Sequence, residues 1–267
     1  MEYEQLLMDI NGGIQMSEIN YRIYATILDA YQNYIDSDKI YHKYYAFSEN
    51  PPCDEDEFRE KQFHELIDRI NRKPFDSEAA DKGTAFNELV DALIENRKPN
   101  EMDVERNTEN TCYTVVYNNR TFVFPISLCR EFAGYFKGAL TQQRVEAILP
   151  TAYGNALVYG VIDELMPTSV HDIKTTGSYT VGKFKDHHQH LVYPYALMQN
   201  GSDVRTFEYN IVEFNKGGYV VGTYTETYVF SPERDIPILT NHCEELIRFL
   251  EENRSLITDK KIFGGEN

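Results

Sequence analysis

The chain has 267 residues, 42% of them hydrophobic, enough for one filled core with an attached helical subdomain. Its 43 acidic residues outnumber 26 basic ones and leave a net charge of -17. That balance excludes a general nucleic-acid coating protein and confines any phosphate contact to a local basic channel.

In chain order, the opening MEYEQLLMDING lacks a basic lead into an apolar stretch, so no secretory leader is expected. Residues 17–36 are predicted as a helix, with Ser17 as cap and Ile19, Ile23, Tyr24, Ile27 and Leu28 at helical spacing. A tyrosine-rich stretch and Pro51-Pro52 follow. The acidic run from Asp54 to Glu57 then predicts the start of a helix reaching Asn71, ended by Pro74. A further helix is predicted over 81–97, its apolar stripe formed by Phe86, Leu89, Val90, Leu93 and Ile94.

Segments 111–117 and 120–125 predict a hairpin around Asn118-Asn119, and a helix is expected at 126–138. Three strands are predicted at 142–149, 155–165 and 169–175. A long helix over 181–199 comes next, then strands at 204–214 and 218–230 around Asn215-Lys216-Gly217-Gly218, and a helix at 233–256. This order predicts an α/β or α+β layered domain, of which α/β is preferred, as a single unit with a mainly helical elaboration over 1–79 and a core over 80–230. No run approaches the ~18 apolar residues of a membrane span. Cys53, Cys112, Cys129 and Cys243 include no C-x-x-C pair. Their spacing argues against a zinc site or a disulfide scaffold and fits a cytoplasmic location.

The central strands carry the chemistry. A hairpin centred between Pro167 and Thr168 sets Asp163 opposite Asp172, and opposed carboxylates repel unless something positive lies between them. Asp163, Asp172 and the carbonyl of Ile173 form a hard oxygen set suited to Mg²⁺ or Mn²⁺. Lys174, two residues past Asp172, points to the same face and can orient water or stabilise charge on a phosphoryl oxygen. The plainer alternative pairs Asp163 with Lys174 as an ordinary ion pair, but the apolar residues around the trio place it in or near a core.

Glu146 is a candidate third carboxylate or a surface partner of Arg144. Asn87 with Asp91, and Gln189 with Tyr193, are i, i+4 pairs that read either as site groups or as ordinary amphipathic edges. Gly83 would allow close approach at its helix start. His187, His188 and His190 span too much helical circumference for a metal cage and are expected to face solvent or DNA, with Lys183 and Lys185 near the substrate path.

These residues together resemble the PD-(D/E)XK nuclease superfamily, in the branch of RecB-type nuclease domains, Cas4-like exonucleases and phage exonucleases. The resemblance rests on Gly83, Asn87 and Asp91, then Glu146, Gly160 with Asp163, Asp172 with Lys174, and Gln189 with Tyr193, over about residues 80–198. It implies a restriction-endonuclease-like core, a central mixed sheet flanked by helices and preceded by additional N-terminal helices. The implied activity is Mg²⁺- or Mn²⁺-dependent DNA exonuclease action in phage or recombination and repair processing, with Asp163, Asp172, Lys174, Glu146, Gln189 and Tyr193 catalytic. The implied metal ligands are Asp163, Asp172, Ile173, Glu146, Asn87 and Asp91.

The implied partners are linear duplex or single-stranded DNA, a single-strand annealing protein and further copies of the chain, with no membrane. Two departures stand out. Asn87 occupies the place of a histidine ligand, and the cluster-binding cysteines of several relatives are missing, so no iron–sulfur cluster is expected. An inactive nuclease fold that binds DNA or a protein partner is the alternative function. An unrelated acidic structural protein is a third reading.

Overall fold

The structure, a computed structural model, describes residues 18–107, 109 and 111–265. Ser17 and the N-terminal segment read above for a leader lie outside the described residues. A central six-stranded mixed sheet is flanked on both faces by helices, giving an α/β fold. Its strands are β1 (Ile19–Tyr24), β5 (Leu140–Thr151), β6 (Gly154–Leu165), β7 (Ser169–Thr176), β8 (Thr206–Phe214) and β9 (Val220–Val229). A separate antiparallel sheet joins β2 (Asp103–Asn107), β3 (Cys112–Tyr117) and β4 (Arg120–Pro125). Asn118 and Asn119 both take positive φ between β3 and β4, the backbone demanded by a tight two-residue hairpin.

The helices are α1 (Ala25–Ile35), α2 (Ser37–Tyr44), α3 (Glu55–Ile70), α4 (Glu78–Ile94), α5 (Ile126–Tyr135), α6 (Gln189–Gln199) and α7 (Pro232–Glu252). Local chemistry explains several starts. Asp54 accepts the Glu57 N–H at 2.8 Å ahead of three acidic residues in the first turn of α3, and Ser77 accepts the Ala80 N–H at 3.3 Å at the start of α4.

Two cores lie on opposite faces of the sheet. Alternation along β8 sends Phe207, Tyr209 and Ile211 into one core, with α1, α6 and α7, and Val212 and Phe214 into the other, with α4, α5 and the small sheet. Cys243 is buried in the first core and Cys129 in the second. Among the described residues no helix is long and apolar enough to cross a membrane.

Three expectations need correction. The helix read over 17–36 is strand β1 up to Tyr24 and helix only from Ala25, because residues 19–24 pair in parallel with 155–159 of β6. The segment before residue 80 thus contributes a strand to the central sheet. β2 was not foreseen. The helix read over 181–199 begins only at Gln189. Upstream, the Glu226 carboxylate accepts the N–H groups of Gly182 and Phe184, at 2.9 and 3.3 Å, and Asp29 accepts that of His188 at 2.7 Å. With these donors satisfied by side chains, the chain runs as successive turns instead.

Candidate active site

The site grows from a fork in the sheet. β5 pairs with β6 from end to end except at Gln142 and Asp163. On the other edge of β6, β1 occupies residues 155–159 and β7 joins only at Glu164 and Leu165, in the hairpin register expected from the sequence. The edge from Gly160 to Asp163 therefore has no neighbouring ladder. The pleat also breaks here: Gln142, beside Asp163 on β5, takes φ 50°, Ile162 packs into one core, and Glu164 faces Asp91 on α4 at the other side. The Asp163 carboxylate reaches across the fork and accepts the Ile173 N–H at 2.9 Å.

Asp172 and Lys174 share one face of β7, while Ile173 between them packs into the opposite core. Asp172 is 3% exposed, and Lys174 Nζ lies 2.7 Å from its Oδ2. Gln189, the first residue of α6, binds both: its Oε1 accepts from Lys174 Nζ at 2.8 Å, and its Nε2 donates to Asp172 Oδ1. The same amide lies 3.2 Å from the Tyr193 hydroxyl. Tyr193 in turn needs Gly160. A Cβ at that position would lie 2.3 Å from Tyr193 Cε1, so only glycine leaves room for the ring. Gly83 sits against Thr175, where an added Cβ would meet Oγ1 at 3.4 Å, an ordinary contact, so the approach of α4 to β7 does not depend on glycine here.

Burial and the neighbouring Asp172 charge push the Asp163 pKa up to about 7. Burial works against the Lys174 ammonium, but Asp172 and Asp163 outweigh it and hold its pKa above the ordinary value. One lysine among two carboxylates leaves negative charge uncompensated. Asn87 on α4 stands beside Asp163 and favours its charged form, and the buried Asn87 Oδ1 has no partner. Two carboxylates with a spare amide oxygen suit a hard divalent cation completed by water rather than a nitrogen or sulfur cage. Among the described residues no group of three or more histidine, cysteine, aspartate or glutamate side chains is arranged to hold a metal ion.

The remaining predicted residues fall elsewhere. Asp91 lies one turn beyond Asn87 and faces Glu164 instead of Asp163. It accepts from Gln142 at 2.9 Å, and burial raises its pKa to about 6. Glu164 is fully buried, and burial together with Asp163 and Asp91 holds its carboxyl well above the usual range. Both Glu164 oxygens and Asp91 Oδ1 are buried without a hydrogen-bond partner, which favours the neutral carboxyl over the charged one. Glu146 stays outside the cluster: about half exposed, it pairs with Arg144 at 2.8 Å.

The histidines differ from expectation. His188 is 3% exposed and its Nδ1 lies 2.9 Å from Asp29, while the His190 ring stacks on Tyr228 at 4.3 Å. His187 stands 3.5 Å from the other Asp29 oxygen. They pack against α1 and β9 because the chain before α6 folds as turns. Sequence reasoning missed Asp29 and Glu164. A carboxylate amid the apolar positions of each element was the available signal.

No family model and no curated protein matches the chain. One solved structure, that of SSO0001, aligns at 15% identity and a TM-score of 0.33, over 46% of this chain. The alignment spans 55% of SSO0001.

Proposed function

We propose that the protein is a divalent-metal-dependent deoxyribonuclease, an exonuclease on a PD-(D/E)XK-type core, hydrolysing phosphodiester bonds in phage or recombination and repair processing. The observation that carries this reading is the fork of the sheet, where Asp163, Asp172 and Lys174 meet with only one positive charge among them. Asp163 and Asp172 would hold Mg²⁺ or Mn²⁺, with Asn87 and the Ile173 peptide bordering them. When bound, such an ion lowers the pKa of its water and polarises the phosphoryl oxygen. Lys174 presents an ammonium for the charge developing on the phosphoryl group. Gln189 fixes Lys174 and Asp172 relative to each other, and Tyr193 braces Gln189 from beneath Gly160.

Purified protein should degrade end-labelled linear DNA with Mg²⁺ or Mn²⁺, chelation should stop it, and Asp172→Ala should abolish it. Equal signal from wild type and variant would reject the enzyme. Lys174→Ala should lower cleavage at least 100-fold while metal titration shows retained binding, and parallel loss of both would contradict lysine's role.

One observation favours a second reading, an inactive nuclease fold that binds DNA or a protein partner. Asn87, in the place of a histidine ligand, stands beside Asp163 with a buried Oδ1 that has no partner. Calorimetric titration separates the two: no Mg²⁺ or Mn²⁺ binding to wild type would favour the inactive form.

A further inference from the structure

The open pocket of about 620 Å³ at the fork is lined on its outer side by residues that the cleavage chemistry does not use. Tyr24 at the end of β1 and Tyr159 on β6 are register neighbours, their ring centroids 6.1 Å apart. Arg72 lies 5.6 Å from the Tyr24 ring and donates to the Tyr159 hydroxyl at 2.9 Å. Arg144 lies 5.3 Å from the Tyr159 ring. Arg69 and Lys73 complete the rim. With Lys174, five cations meet two carboxylates here, in a chain where acids outnumber bases 43 to 26. The rim cations are anchored by acids outside the pocket: Arg72 by Asp259 at 2.6 Å, Lys73 by Asp68 at 2.5 Å and Arg144 by Glu146 at 2.8 Å.

We infer that this rim is a platform for the single-stranded end of DNA, with unpaired bases on Tyr159 and Tyr24 and phosphates on Arg72, Arg144, Arg69 and Lys73. The inference rests on Asp163 and Asp172 as the cleavage centre, because the platform borders them and would deliver the next phosphodiester there. Aromatic faces stack on the exposed faces of bases, which a single strand offers at every nucleotide, and guanidinium groups beside them match a phosphate backbone. The pocket has the volume of a small-molecule site, enough for extended nucleotides. The acids that anchor three of these cations fix where they stand, and among the described residues no acid pairs with Arg69.

Binding is measured apart from cleavage, by fluorescence anisotropy of a labelled oligo-dT and of a blunt duplex in EDTA at low salt. Single strand should bind at least 10-fold tighter than duplex. Tyr159→Ala should weaken single-strand binding about 5- to 150-fold, the range of one lost base stack. Tyr159→Phe, which keeps the ring, should stay within about 3-fold of wild type. Arg144→Glu, at an exposed position, should weaken binding and flatten its salt dependence, and circular dichroism confirms that each variant is folded. Equal affinity for both DNAs, or Tyr159→Ala and Arg144→Glu both within 2-fold of wild type, would overturn the platform. Single-strand preference without metal-dependent cleavage would sustain the platform and reject the nuclease. Cleavage of blunt duplex with no single-strand preference would do the reverse.

Discussion

Replacing Gly160 by alanine tests the link between the fork and the groups it holds. The new Cβ would stand 2.3 Å from Tyr193 Cε1 and 2.9 Å from its hydroxyl. Carbon atoms in contact sit about 3.5–4.0 Å apart, so strand or ring must move by about 1 Å. Overpacking of this kind costs about 1–3 kcal/mol. Gly160 does not have positive φ, so removing a glycine from the unfolded chain returns about 0.4–1 kcal/mol. Gly160→Ala should therefore destabilise the protein by about 1–2 kcal/mol, read as a lower midpoint in urea at unchanged slope.

Activity should fall further than stability. Tyr193 braces Gln189, which holds Lys174 and Asp172, and a displacement of ~1 Å at a catalytic group costs about 100-fold in rate. Repeating the substitution in a Tyr193→Leu background removes the ring atoms that clash. There the alanine should cost nothing or stabilise slightly. If Gly160→Ala is neutral in the wild-type background, or costs the same in both, the steric account fails.

Asp163→Asn should abolish cleavage yet stabilise the protein. The wild-type carboxyl has a folded pKa of about 7 against about 3.9 unfolded, so it binds more protons when folded. Wild-type stability should therefore fall as pH rises from about 4 to 7 and level off above, and the variant should gain on it over that window by about 1–3 kcal/mol. Urea midpoints that run parallel across pH would contradict this. Deprotonation of the same carboxyl should raise Mg²⁺ affinity about 10-fold between pH 6 and pH 8, measured by calorimetry. Asp29→Ala leaves the His188 N–H without its acceptor at the start of α6 and should cost about 1–3 kcal/mol, with faster amide exchange at Gln189 to Val192. Unchanged exchange there would sink that assignment. Burial raises the thiol pKa of both Cys129 and Cys243 to about 12, so a thiol reagent at pH 8 should label only Cys53 and Cys112 until the protein is denatured.

Where the determinants were local, the sequence by itself determined the outcome. Asp54 with its acidic first turn started α3, Asn118-Asn119 made the hairpin, and apolar alternation delimited β5 to β8, whereas α4, read from residue 81, starts at Glu78 behind the Ser77 cap. The turn after Met166 placed Glu164 opposite His171, which brought Asp163 and Asp172 together at the fork. The i, i+4 spacing of Gln189 and Tyr193 likewise set their contact. Only the tertiary structure decided the rest, because those residues respond to partners far along the chain. Residues 19–24 carry helical spacing but became a strand when β6 offered them a ladder. α6 starts at Gln189 because Asp29, 159 residues before His188, takes that residue's N–H. Asp91 and Glu146 kept the right residue type at legible spacing, but the pleat break at Asp163 sent Glu164 to meet Asp91, and Arg144 held Glu146 at the surface. The tyrosine and arginine rim joins β1, the segment after α3, and strands β5 and β6, elements that periodicity reads separately and that only packing brings to one pocket.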